Sequence, residues 1–126
     1  MTEPTPHEQY DYGQHAERQV QREIVERLRG AGWMVAVNSQ PGKVRKQLRG
    51  LRGLPDLLAW RADVSLLIEC KSITGLLNEA QVDFLEHIDP HAGPHLIYLV
   101  ARYPADVAAY CQPPQTEYQR CPECPL

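Results

Sequence analysis

The chain has 126 residues, 43% of them hydrophobic and 23% charged, with a formal net charge of −3. That length supports one hydrophobic core and not two. No apolar run reaches the length of a membrane span, and the acidic, polar start MTEPTPHEQYDYG has the form of neither a signal peptide nor an Arg-rich transit sequence, so a cytoplasmic protein is expected.

Residues 1–14 hold two prolines, a glycine and no apolar period, which predicts a mobile leader. From about His15 to Ala31 the pattern becomes helical: Val20, Ile24 and Leu28 recur at four-residue spacing, and Gly30 and Gly32 end the run. WMVAVN (33–38) reads as a strand. The loop that follows, SQPGKVRKQLRGLRG, carries Lys43, Arg45, Lys46, Arg49 and Arg52 with no acid among them. Loops this long inside a compact domain are mostly functional or mobile. The mean charge therefore hides a basic stripe that a polyanion would feel at close range.

DLLAW (56–60) and SLLIECK (65–71) predict two strands joined by the turn RADV, hence an antiparallel hairpin. NEAQVDFLEHID predicts a helix capped by Asn78, with Gln81 at the third position of a capping box and Val82, Leu85 and Ile88 as its apolar stripe. HLIYLVA (95–101) reads as a buried strand, and PADVAAY begins a short last helix at Pro104. Residues 111–126 form a Pro- and Cys-rich tail. The order α-β-β-β-α-β-α predicts an α/β domain with a mixed sheet flanked by helices.

Four cysteines do not make a disulfide framework here. Cys70 stands alone in an apolar run and reads as a small buried thiol. Cys111, Cys121 and Cys124 supply three thiolates, one short of a structural zinc site. A histidine or a second subunit would have to complete it; reduced thiols on an irregular tail are the alternative.

The charges at the hairpin's open end carry the chemistry. Side chains alternate along a strand, so Leu67, Glu69 and Lys71 share one face while Leu66, Ile68 and Cys70 take the other. Antiparallel pairing through RADV then brings Asp56 beside Glu69 and Lys71. One reading is a cross-strand salt bridge on an exposed rim, worth about 0.2–1 kcal/mol. The other is a Mg²⁺ site: two hard oxygen ligands, with a nearby cation to orient water or offset charge on a phosphate.

Pro55-Asp56, twelve intervening residues, then Glu69-Cys70-Lys71 resembles the PD-(D/E)XK nuclease signature, and more narrowly the compact VRR-NUC group. The resemblance runs from Glu17 to about Tyr110. It includes an amphipathic first helix led by a Glu, the entry at Gly32, Gly53 before the Pro-Asp pair, and a Gln in GLLNEAQ (75–81). It implies a restriction-endonuclease-like core over residues 15–110 and a Mg²⁺-dependent DNA endonuclease, with Mn²⁺ able to substitute. Asp56 and Glu69 would be metal ligands, joined by the Cys70 backbone carbonyl. Lys71 would lie near the attacking water and the phosphate, and Gln81 would order Lys71 or that water. Among Glu17, Glu23 and Glu26, Glu17 extends the stripe of Val20 and Ile24, so it is the candidate carboxylate to support the metal ligands or to hold a second metal. A helix-terminal charge is its plain alternative.

The basic loop is expected to grip DNA phosphates without reading bases, with Asn38 and Gln40 as further contacts. The resemblance makes a homodimer acting on paired strands of a branched substrate, such as a Holliday junction, an attractive expectation. A DNA-binding module of the same fold that does not cleave is the rival.

Overall fold

The computed structural model describes residues 14–38 and 52–113. In chain order these form α1 (Gln14–Gly30), β1 (Met34–Val37), β2 (Leu57–Arg61), β3 (Val64–Cys70), α2 (Glu79–Ile88), a single 3-10 turn (Asp89–His91), β4 (Leu96–Ala101) and a closing 3-10 helix (Pro104–Tyr110). The strands make one mixed sheet in the order β1-β2-β3-β4. β1, β2 and β3 are antiparallel neighbours, and β4 returns parallel to β3 after crossing over through α2. The expected α/β order is observed, with one correction: the final helix is 3-10 rather than α. Seven residues held at their start by Pro104 and Asp106 are too few to repay the cost of starting an α-helix.

Alternation assigns the two faces of the sheet. Leu57, Ala59, Leu66, Ile68, Cys70 and Ala101 are fully buried on one face, under α1 and the closing 3-10 helix. α1 contributes Val20, Ile24, Val25 and Leu28, recurring at the expected helical spacing. Each fully buried aliphatic side chain of this kind stabilises the fold by roughly 1.5–3 kcal/mol. Gly32, at φ +90°, turns the chain out of α1 while the Trp33 N–H donates back to the Leu28 carbonyl at 3.0 Å. Trp33 then ties this layer to the closing helix through its Nε1, which donates to the Tyr110 carbonyl at 2.7 Å. Arg61 stacks over the same indole at 4.8 Å and donates to the carbonyls of Ala31 and Gln112.

α2 covers the opposite face, where Phe84 meets Tyr98 of β4 at 6.1 Å between ring centroids. Its inward stripe differs in phase from the expected one. Val82 is exposed, and Phe84 is the buried residue of this helix. Residues 81, 84, 85 and 88 share the inner side, which turns Gln81 toward the sheet rather than toward solvent. The expected strand ends also shift: Lys71 lies one residue beyond β3, and Asp56 one residue before β2.

Candidate active site

The hairpin sets the first two side chains. Its register pairs Leu57 with Ile68, and one further step places Asp56 opposite Glu69. Asp56 Oδ2 accepts the Cys70 backbone N–H at 2.9 Å, which fastens the start of one strand to the end of the other. Both carboxylates are withdrawn from solvent, at 7% and 2% exposure. An exposed-rim salt bridge is therefore ruled out; charges this buried need strong partners.

Two of those partners belong to the same cluster. Lys71 Nζ lies 3.8 Å from Glu69 Oε1, with its side chain 13% exposed. Gln81 Nε2 donates to the same oxygen at 2.7 Å. Gln81 is held at its other end too, because its Oε1 accepts the Asn78 N–H at 2.9 Å while Asn78 Oδ1 accepts the Gln81 N–H. Capping and site duties thus coexist in one residue. The direct contact is with Glu69, on the same oxygen that Lys71 approaches.

Glu17 faces this group from α1. Burial pushes its carboxyl above the ordinary range, Lys71's positive charge opposes that rise, and Asp56's negative charge adds to it. Cys70 reports the same convergence. Burial pushes its thiol far up, and the charges of Asp56, Glu69 and Glu17 push it further. The thiol is buried and inert, so only the Cys70 backbone is available for chemistry.

Two backbone features set the approach to Asp56. Asn38 donates its N–H to the Asp56 carbonyl at 2.7 Å and its side-chain amide to the Pro55 carbonyl at 3.2 Å. Its side-chain amide is thus engaged in holding the Asp56 segment. Gly53, at φ +70°, packs its backbone against the first turn of α2; a Cβ there would fall 2.0 Å from the Ala80 carbonyl oxygen. Only glycine fits both the conformation and the gap.

Tyr98 was not foreseen. It pairs with Leu67 in the parallel register, on the Glu69 face, and its buried hydroxyl has no hydrogen-bond partner among the described residues. Burial, then Glu69 and Asp56, push its phenol up to about 12. Alternation within LIYLVA could have indicated the face, but only the parallel register shows which neighbour it meets.

Of the basic stripe, Arg52 alone falls within the described residues; it is exposed and 3.8 Å from Asp83. Lys43, Arg45, Lys46, Arg49 and Gln40 lie outside them, as do Cys121 and Cys124. Cys111 is half-buried.

The donor chemistry suits a hard divalent cation. Glu17, Asp56 and Glu69 formally outnumber the ammonium of Lys71, so the cluster carries excess negative charge in a largely dry setting. Among the described residues no group of three or more His, Cys, Asp or Glu side chains is placed to hold a metal ion. Mg²⁺ does not need one: it takes one or two carboxylates and fills its shell with waters and substrate oxygens.

The family model for the archaeal Holliday junction resolvase (Hjc) matches residues 8–89, spanning α1 to the end of α2 and every residue of the cluster except Tyr98. A solved structure described as a VRR_NUC domain aligns with a TM-score of 0.55 and 20% identity, covering 75% of this chain and 96% of its own. At that identity the likeness establishes the fold. No curated protein matches the chain, and among the described residues no helix is long and apolar enough to cross a membrane.

Proposed function

The chain belongs to the archaeal Holliday junction resolvase (Hjc) family, a PD-(D/E)XK nuclease family, and on that footing we propose that it is a Mg²⁺-dependent endonuclease that cuts branched DNA. The observation that carries this reading is the buried pair Asp56 and Glu69, opposite one another across β2 and β3, with Lys71 3.8 Å from Glu69. Asp56, Glu69 and the Cys70 carbonyl would hold the ion, and Mn²⁺ would substitute. When bound, such an ion supplies Lewis acidity and a more acidic water for in-line attack on a phosphodiester.

The side chains contribute what can be placed in advance. Lys71 puts a fixed positive charge beside the position of the scissile phosphate, where charge grows in the transition state. Gln81 holds Glu69 in one orientation, and the Cys70 N–H does the same for Asp56. Glu17 adds a third carboxylate that can order a water or a second ion. The basic loop from Lys43 to Arg52 leads directly into Asp56 and would grip the DNA backbone.

A homodimer fits this reading, because two sites can cut two strands of a junction. The exposed pair Met34 and Trp60, neighbours across β1 and β2 on the face opposite α1, offers an apolar patch for a second copy. The zinc alternative at Cys111, Cys121 and Cys124 rests mainly on cysteines outside the described residues.

The test is cleavage of linear, flapped and four-way junction DNA with the metal varied. Cutting of the four-way junction with Mg²⁺ or Mn²⁺ is expected, and Lys71→Ala should abolish it while leaving DNA binding nearly intact. Binding without cutting, across all substrates and metals, would instead establish the non-cleaving module.

A further inference from the structure

The residue after β4, Arg102, makes contacts that the cluster described above does not account for. Its Nη1 donates to the carbonyl oxygens of Ser72 at 2.6 Å, Ile73 at 3.2 Å and Gly75 at 2.6 Å. Three backbone acceptors of one turn therefore converge on a single guanidinium nitrogen, and that turn starts immediately after Lys71. Arg102 is itself anchored, since its N–H and that of Tyr103 both donate to Asp106 Oδ2, at 2.8 and 3.0 Å. The preceding Ala101 accepts the Lys71 N–H at 2.9 Å, so the two basic residues are tied through adjacent backbone.

The gathered turn folds back on the lysine. A Cβ at Gly75 would lie 2.9 Å from Ser72 Oγ and 3.5 Å from Lys71 Cδ, which places this backbone directly against the lysine's stem. A lysine side chain has four rotatable bonds and keeps one geometry only if its surroundings enforce it. Carbonyl oxygens turned toward one point repel one another unless a cation sits among them. The Arg102 Nη1 group meets that need with two N–H donors and a delocalised positive charge, held by a planar guanidinium that has less freedom than an ammonium on its flexible stem.

We propose that Arg102 is a positioning residue for Lys71: it fastens the Ser72–Gly75 turn over the lysine's stem and so fixes where the ammonium stands. This rests on the reading of Lys71 as the group beside the scissile phosphate, but the fastening itself can be measured without any reaction.

The experiment compares wild type, Arg102→Ala and Arg102→Lys, each confirmed folded by circular dichroism. The first readout is the acetylation rate of Lys71, followed by peptide mass spectrometry with Lys43 and Lys46 as internal references. Arg102→Ala should raise Lys71 labelling several-fold without changing the references, and Arg102→Lys should fall between it and wild type. The second readout is junction cleavage. kcat should drop on the order of 100-fold in Arg102→Ala, the scale of a small misplacement, with DNA affinity and its salt dependence unchanged. Wild-type labelling of Lys71 in both variants would overturn the proposal. So would a weakened, flatter salt dependence of binding, which would make Arg102 a phosphate contact. Raised labelling with full cleavage would refute the role in catalysis. If wild-type protein cuts no substrate, the nuclease reading fails while the labelling result still decides the clamp.

Discussion

Gln81 and Glu69 are joined by a 2.7 Å hydrogen bond from the α2 side chain to the buried carboxylate of β3. The same amide accepts the Asn78 N–H, so the start of α2 and the charged end of the sheet share one residue. The two duties can be separated. Asn78→Ala removes the side-chain cap but keeps the backbone N–H that holds Gln81, so it should cost about 1 kcal/mol of stability with kcat nearly unchanged. Gln81→Met removes the bond to Glu69 and should lower kcat by more than tenfold. Urea denaturation and junction cleavage on both variants check this; equal kcat losses would deny Gln81 its role at Glu69.

The fold was legible because α1, the hairpin and β4 each carry an unambiguous period, and the pairing of Asp56 with Glu69 follows from the turn alone. α2 was harder. Val82 resembles a core residue in isolation, and only the sheet beneath shows that Phe84 faces inward and brings Gln81 with it. The hold of Asn38 on the Asp56 segment, and the parts played by Tyr98 and Arg102, stayed hidden for a common reason. Each acts through contacts 17 or more residues away in sequence or through a parallel register, and no local pattern encodes either. Gly53 was recognisable by its place before Pro55-Asp56, but its physical role depends on how closely Ala80 approaches.

That approach gives a second prediction. Gly53→Ala must relieve both a positive φ and a Cβ only 2.0 Å from the Ala80 carbonyl oxygen, so it should destabilise the fold by at least about 1–3 kcal/mol and displace Asp56 relative to Gln81. Ala62, at φ +54° in the β2–β3 turn, is the control. Ala62→Gly relieves strain of about 1 kcal/mol and should raise the melting temperature without altering cleavage. Thermal melts of both variants decide the point.

Glu17 gives a pH-dependent prediction. Its folded carboxyl titrates above the ordinary value of 4.5, mainly through burial. A raised acid contributes stability that is present below that value and lost as pH rises through the folded pKa. Metal-free Glu17→Gln should therefore be more stable than wild type near neutral pH, with the gain shrinking as the pH falls through the folded pKa toward 4.5. Denaturant midpoints across that range, measured in EDTA, test the sign. Reduced cleavage alongside the gain in stability would mark the trade between the two.

The basic loop is tested through salt. Replacing Arg45, Lys46 and Arg49 with Ala should weaken junction binding and reduce the slope of log K against log salt by up to about 0.9 per lost phosphate contact. Fluorescence anisotropy over a salt series measures it. An unchanged slope would leave the loop as solvated charge.

The most direct measurement is Mn²⁺ binding followed by electron paramagnetic resonance in the presence of junction DNA with a non-hydrolysable backbone. Wild type should sequester the ion, and Asp56→Asn and Glu69→Gln should each release it while still binding DNA. Sequestration at the wild-type level in both variants would contradict the claim that these two buried carboxylates hold one cation between them.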